Sequence, residues 1–245
     1  MLIEQSAYAS PWRGIAPEAK GLFALAGLAA AFAGATRPLA SLAVTALVLA
    51  VTFVGARVSP LLYLRVAAPP LFFLAISGLT LAYSVTPADH AWSLAATGTA
   101  QAQAVTLRSL GALAALLFLV LTTPLTDLVA LARRLRTPEL LLDLMVLGYR
   151  SLFVLSQSIA DMRTAQAARL GYAGHRRSLR SLGQLVANLT LQVWDRSHGL
   201  HQAALARNGD GPLRFLAPDH ANRQRHTALA GLAGLGLLAM GLFLP

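Results

Sequence analysis

The stretch SLGALAALLFLVLTTPL, residues 109–125, contains no charged side chain. A helix needs about 20 apolar residues to cross a bilayer, with a range of roughly 17 to 25. The stretch therefore predicts a membrane-spanning helix. Four further apolar stretches are found, at 21–35, 39–56, 66–85 and 227–244. The first of these four is short for a span, and the second is borderline.

The overall composition also indicates a membrane protein. Hydrophobic residues make up 56% of the chain and charged residues 12%, and the mean hydropathy is +0.59. These values are typical of a polytopic membrane protein rather than a soluble domain. We predict an all-α membrane protein with about five transmembrane helices. It divides into an N-terminal transmembrane region of about four spans (1–125), a cytoplasmic helical region (126–225) and a final span (226–245).

Two details of the chain bear on this prediction. Pro69 and Pro70 lie inside the third apolar stretch, so we expect that helix to be kinked or to begin after the prolines. The chain has no cysteine, which excludes disulfides and thiolate metal sites.

The distribution of basic residues predicts the topology. Fourteen of the 20 lysines and arginines lie between Asp127 and Arg225, together with seven of the 10 acidic residues. Such a segment is expected in the cytoplasm. Because four spans precede it, the N-terminus is also predicted to be cytoplasmic, and the loop 86–106 external.

The first 20 residues do not have the form of a cleaved signal peptide. Topology and phospholipid contact explain the net charge of +10, and no nucleic acid partner is expected.

The cytoplasmic region has helical periodicity and no alternating strand pattern. A short basic amphipathic helix is predicted at about 126–136, as is typical of a helix that lies in the membrane interface. The residues of this interface helix are Leu128, Leu131, Arg133, Arg134 and Leu135. Two long helices follow, at about 138–169 and 178–207, and we expect them to form a crossed or antiparallel pair.

Both long helices end in the form Ala-Arg-x-Gly. The two copies are Ala168-Arg169-Leu170-Gly171 and Ala206-Arg207-Asn208-Gly209. Glycine after a helix is a common C-terminal cap, and an arginine in the last turn can simply compensate the helix dipole, worth a few tenths to about 1 kcal/mol. Repetition at equivalent helix positions favours instead contact with a cytoplasmic partner. The predicted docking residues are Ala168, Arg169, Gly171, Ala206, Arg207 and Gly209.

No catalytic or metal-binding constellation stands out. The chain lacks a G-x-x-x-x-G-K-[ST] loop, and Lys20 is its only lysine, so any nucleotide hydrolysis is expected in a partner. His198 and His201 lie three residues apart, but no third metal ligand follows at a suitable offset. Without acidic residues between Glu18 and Asp89, an ion relay through the first spans is not expected. We therefore expect a non-catalytic chain with no cofactor of its own.

Three segments carry a resemblance to a known family. They are LTTPLTDL at 121–128, LRTPEL at 135–140 and GYR at 148–150. With them, the chain resembles the transmembrane coupling subunit of energy-coupling factor transporters, most closely the CbiQ-type proteins of the cobalt/nickel branch. The resemblance extends from the PEAK segment at 17–20 to 207–209 and is strongest from Leu121 onward.

The resemblance implies a subunit of an importer in the bacterial cytoplasmic (inner) membrane, with cobalt as the first choice of substrate and nickel as the next. In that family, two Ala-Arg-Gly type motifs dock into grooves of two ATP-binding cassette ATPase subunits. By resemblance, this role falls on Ala168-Arg169 and Ala206-Arg207, although Leu170 and Asn208 stand where glycine is usual. The ATPases would bind ATP. A separate substrate-binding membrane subunit, with or without a small accessory membrane subunit, would bind the metal.

Two other functions are open from the residues alone. One is a membrane enzyme that acts on lipids, with the basic interface helix holding the headgroups. The other is a passive assembly subunit with no part in transport. An ATPase that copurifies with the chain would favour the coupling subunit, whereas activity of the isolated chain on a lipid would favour the enzyme.

Overall fold

The computed structural model describes residues 2–34, 37–85, 92–94, 96–207 and 222–243. Within these ranges the chain is helical apart from one short antiparallel ribbon, β1 (Tyr83–Val85) and β2 (Trp92–Leu94), in which Ser84 pairs with Ser93. The all-α prediction is confirmed. The helices are α1 (Leu2–Ala9), α2 (Pro17–Ala33), α3 (Pro38–Ala50), α4 (Pro60–Ala82), α5 (Ala96–Thr122), α6 (Leu125–Arg134), α7 (Glu139–Ala168), α8 (His175–Ala206) and α9 (Arg223–Phe243).

Four helical segments in the described part of the chain are long and apolar enough to cross a membrane. They are Pro38–Gly55, in which a π-helical turn extends α3, together with Pro60–Ala82, Thr99–Thr122 and Arg223–Phe243. The remaining apolar stretch forms α2, which has 17 residues and lies at the lower end of spanning length. The sequence analysis likewise described the corresponding apolar stretch, 21–35, as short for a span.

Two helix starts differ from the sequence prediction. Helix α4 begins at Pro60 and continues through Pro69 and Pro70, so the expectation of a start after the prolines was wrong. Pro60 suits a first helical position, and the Leu62 amide donates to the N-cap Ser59 Oγ at 3.4 Å, which starts the helix earlier. Helix α5 begins at Ala96, within the predicted external loop, because its alanine-rich first turns favour a helix although they are not apolar throughout.

The described residues divide into two compact units. The first contains the residues up to Leu131 together with α9, and its core surrounds Phe118 of α5. Phe23 and Trp12 approach the Phe118 ring edge to face, with ring centroids 5.1 Å and 5.9 Å away. The core is completed by Ala24, Ala30, Val44, Val48, Ala114 and Leu237. Helix α9 thus packs with the N-terminal helices although it follows α7 and α8 in sequence.

Close helix packing in this unit depends on glycine. A Cβ atom added at Gly234 of α9 would lie 2.8 Å from the Ala26 Cβ of α2, whereas Gly236 has open space. We expect Gly234→Ala to lower the free energy of unfolding by about 1 to 3 kcal/mol through overpacking. Gly236→Ala is the matched control and should be neutral or slightly stabilising, since alanine favours helix. Thermal unfolding of the purified chain in detergent measures both, and equal melting temperatures would contradict the packing argument.

The second unit runs from Ala132 through α8 and contains the two long helices α7 and α8, joined by the turn 169–174. Their bounds agree with the predicted 138–169 and 178–207 to within three residues. Hydrogen bonds beside the turn connect the two helices: the Gln166 side-chain amide donates to the Ser181 carbonyl at 2.9 Å, and the Ser181 hydroxyl donates to the Gly171 carbonyl at 2.9 Å. The turn therefore has a defined geometry.

Candidate functional site

The end of α7 presents Arg169 to solvent. Ala168 is the last helical residue, and Arg169 is the C-cap, with φ −94° and ψ 16°. Both residues are exposed. The Arg169 amide donates to the Gln166 carbonyl at 3.2 Å, so the backbone is held while the residue stays exposed at the helix end. A cation is favourable there because the C-terminal carbonyls carry partial negative charge.

The residue after Arg169 adopts an unusual conformation. Leu170 has φ 56°, which is the left-handed region that glycine normally occupies at helix ends. The Leu170 amide donates to the Ala167 carbonyl at 3.0 Å, and the Gly171 amide donates to the Gln166 carbonyl at 2.9 Å. These two bonds form a Schellman motif. Gly171 contributes its amide to the cap, but the expectation that this glycine is the left-handed capping residue was wrong, because Leu170 takes that conformation.

Gly171 is needed for space rather than for backbone freedom. A Cβ atom at this position would lie 2.7 Å from the Ser181 hydroxyl oxygen and 2.8 Å from the Gln166 carbonyl oxygen. The Tyr172 hydroxyl donates to the Gln166 side-chain oxygen at 2.6 Å and completes the network around the turn. The resemblance led us to expect glycine at 170, whereas this chain has it at 171. The close contact with Ser181 of α8 falls at 171 and explains why glycine is needed there.

The strain at Leu170 leads to a prediction. Leu170→Gly is expected to stabilise the end of α7 by up to about 1 kcal/mol. A left-handed conformation costs an L-residue roughly 1–2 kcal/mol, and glycine avoids this cost. Part of the gain is lost because glycine has more conformational entropy in the unfolded chain. Leu170 is 68% exposed, so little packing is lost. Slower amide hydrogen exchange at 166–171 would show the effect. Leu179→Gly is the control. This exposed leucine lies inside α8, where glycine destabilises a helix, so amide exchange in the first turns of α8 should become faster.

The end of α8 repeats the local geometry of the end of α7. Ala206 is the last helical residue, and Arg207 is the C-cap, with φ −100° and ψ 13°. The Arg207 amide donates to the Ala204 carbonyl at 3.1 Å, and both Ala206 and Arg207 are exposed. Asn208 and the predicted docking residue Gly209 lie outside the described residues. The two arginines therefore occupy the same position in the same cap conformation.

The predicted interface helix corresponds to α6 (Leu125–Arg134). Leu128 and Leu131 are half-buried, and Arg133 and Arg134 are exposed at the C-terminal end, where the sequence predicted them. Leu135 lies just beyond the end of the helix and is 74% exposed, so it does not share a helical face with Leu128 and Leu131 as predicted. The buried side chains of α6 are Asp127 and Val129.

A buried charged side chain was missed by the sequence analysis. Lys20 near the start of α2 is 1% exposed, and its ammonium group donates to the Thr122 carbonyl at 2.9 Å. Asp127 is 4% exposed and attracts Lys20 electrostatically. The available signal was a lone lysine directly before an apolar run. This local pattern could not show that Lys20 lies beside Thr122, 102 positions later in the chain.

The described ranges contain no candidate metal site. No group of three histidine or acidic side chains lies close enough there to hold an ion. His198 and His201 are both exposed on α8.

The four apolar helices and the paired arginine ends define a multi-span helical membrane protein with a separate helical unit. A family model described as "cobalt transport protein", CbiQ, matches residues 9–215. The match covers most of the chain, so the chain belongs to the CbiQ family of cobalt transport proteins.

Individual relatives agree with this membership. The "Cobalt transport protein CbiQ" of Rhodobacter capsulatus is 38% identical over 99% of this chain and 98% of its own length. The protein of the same name from Salmonella typhimurium is 29% identical over 78% of this chain and 89% of its own length. The "Putative fused cobalt transport protein CbiMQ" of Methanocorpusculum labreanum is 28% identical over 86% of this chain, which spans only 37% of that longer protein.

Proposed function

We propose that this chain is the transmembrane coupling subunit of an energy-coupling factor importer for cobalt, with nickel as the next candidate. The observation that carries the proposal is the pair of exposed arginines, Arg169 and Arg207, which have nearly the same C-cap dihedral angles at the ends of α7 and α8. Two equivalent cationic helix ends suit a partner with two equivalent sites, such as a pair of ATP-binding cassette ATPase subunits.

The chemistry of each helix end suits insertion into a groove. Arg169 is followed by Leu170, 68% exposed, and Arg207 is preceded by Leu205, 59% exposed. An arginine provides five donors for charge-assisted hydrogen bonds to carboxylates or helix carbonyls, and an adjacent leucine adds apolar area. Arginine is enriched among the residues that dominate protein interfaces. Each helix end therefore combines a polar anchor with an apolar contact.

The proposed mechanism follows from this arrangement. ATP binding brings the two ATPase subunits together, and the grooves that hold Arg169 and Arg207 approach each other. The helices α7 and α8 then change their crossing angle, and the motion reaches the membrane helices, which shift against the substrate-binding subunit. This chain supplies no catalytic group; ATP is bound and hydrolysed by the partners.

The partner that binds the metal is proposed to be a separate membrane subunit. The fused CbiMQ relative supports this, because this chain corresponds to 37% of a protein whose name joins two cobalt transport components. We place the complex in the bacterial cytoplasmic membrane, with the N-terminus and the region 126–225 in the cytoplasm. A small accessory membrane subunit is compatible with this assembly.

Copurification tests the proposal. The tagged chain, extracted from membranes of its own host in mild detergent, should bring down ATP-binding cassette subunits and a metal-binding membrane subunit. Cobalt should stimulate ATP hydrolysis by this complex after reconstitution into vesicles. A chain that purifies without any ATPase, or that modifies lipids by itself, would overturn the coupling function.

A further inference from the structure

The start of α2 contacts the corner between α5 and α6. Thr122 is the last residue of α5, and its carbonyl is one of the helix-terminal groups that lack an intrahelical partner. The buried Lys20 ammonium group donates to this carbonyl at 2.9 Å. Asp127, in the first turn of α6, is also buried and attracts Lys20. One side chain of α2 thus interacts with the end of one helix and the start of the next.

A second contact of α2 with α6 adjoins the first. A Cβ atom added at Gly21 would lie 3.1 Å from Leu131 Cδ2. Leu131 is four residues after Asp127, so both lie on the same face of α6. Gly21 therefore packs against α6 one turn after Asp127, whose charge attracts the neighbouring Lys20.

The same segment of α2 is joined to the rest of the membrane unit. The Glu18 carboxylate forms an ion pair with Arg223 of α9 at 3.2 Å, and α2 packs along both α5 and α9. A displacement of α6 that is passed to Lys20 and Gly21 would consequently reach the helices around Phe118.

We propose that Lys20 and Asp127 are positioning residues that hold the first turn of α6 on α2, so that motion of α6 is transmitted to the membrane helices. This inference rests on the proposed coupling function. Buried opposite charges suit the task because separating them leaves an uncompensated buried charge, which is strongly unfavourable. The pair therefore specifies a single register between α2 and α6.

Disulfide cross-linking tests the docking of α6 directly. The chain contains no cysteine, so Gly21→Cys with Leu131→Cys introduces the only two thiols of this subunit. Replacing Leu131 also removes the carbon atom that would crowd the new side chain at 21. In the full complex, Lys20→Met should lower the initial cross-linking rate by about tenfold, because the buried Asp127 loses its counter-charge. Lys20→Met with Asp127→Leu should restore the rate to within about threefold, since apolar side chains can replace buried opposite charges.

A matched control separates this effect from general disturbance of α2. Glu18→Gln removes a charge from the same segment but from its contact with α9, and it should leave cross-linking unchanged. If Lys20→Met does not accumulate, Asp127→Asn, which keeps the side-chain shape, should reduce the rate by about threefold. A wild-type cross-linking rate in Lys20→Met, or in Asp127→Asn where Lys20→Met does not accumulate, would overturn the proposal.

A coupling measurement separates positioning from a merely structural role. In reconstituted complexes, Lys20→Met should lower the number of cobalt ions transported per ATP hydrolysed by about tenfold, while the amount of bound ATPase stays at the wild-type level. A parallel loss of bound ATPase and uptake with an unchanged ratio would overturn the positioning role. If the wild-type chain binds no ATPase, the proposed function and the transmission step fail together, whereas cross-linking still decides whether the pair holds α6.

Discussion

Replacing Arg169 and Arg207 together with alanine is expected to reduce the ATPase recovered with this chain by at least about a hundredfold and to abolish cobalt uptake. Truncation of a central interface arginine typically costs about 2 kcal/mol or more, and every 1.4 kcal/mol is about tenfold in affinity. Both side chains are exposed, and each cap is held by backbone hydrogen bonds, so the fold should be retained. Pull-down of the ATPase and uptake of radioactive cobalt measure the two effects.

The single variants should show that the two ends act together. When one end stays bound, the other rebinds at a high local concentration, so Arg169→Ala or Arg207→Ala alone should reduce recovery by only about tenfold. Arg163→Ala with Arg196→Ala is the matched control. It removes two exposed arginines from the same two helices, away from their ends, and should leave recovery and uptake close to the wild type. A double variant at Arg169 and Arg207 that keeps both activities would show that the docking hypothesis is wrong.

Gly171→Ala should disorder the end of α7 and lower the recovery of ATPase, although it leaves both arginines in place. The added methyl group would lie 2.7 Å from the Ser181 hydroxyl oxygen and 2.8 Å from the Gln166 carbonyl oxygen. Relief of these contacts must open the turn or break the Schellman bonds, at a cost of about 1–3 kcal/mol. Trypsin cleavage after Arg169, Arg176 and Arg177 should accelerate, because local opening exposes the turn to the protease.

The same turn supplies the control for this variant. Gly174 has φ 171° and ψ 159°, an extended conformation open to any residue, and a Cβ atom there meets no neighbour within 4 Å. Gly174→Ala should therefore leave both proteolysis and ATPase recovery unchanged. If the two glycine variants behave alike, the close contact with α8 does not determine the cap.

The spans and the long helices were largely predictable because their signals are local. Apolar runs revealed α3, α4, α5 and α9, and periodicity with Pro138 revealed α7. Errors occurred where local signals were weak or absent. The first turns of α5 are rich in alanine and glutamine, so they were assigned to a loop, and α4 passes through two prolines that normally interrupt a helix.

The candidate site was predictable in part. The repeat of alanine and arginine at two helix ends located Arg169 and Arg207, and the structure gives both the same cap conformation. The left-handed conformation of Leu170 was not predictable, since the side chain opposes it. It occurs where Ser181 and Gln166 enclose Gly171, a contact between two helices that no local pattern contains.

The sequence alone determined that this chain is a helical membrane protein, where its long helices end and which arginines stand at those ends, because hydropathy, periodicity and capping act over a few neighbouring residues. The tertiary structure alone decided the rest. It joined α9 to the N-terminal helices, brought the buried Lys20 onto the Thr122 carbonyl, and selected Leu170 rather than Gly171 for the left-handed position. These features depend on contacts between residues far apart in the chain, where burial and close packing determine which local preference is overridden.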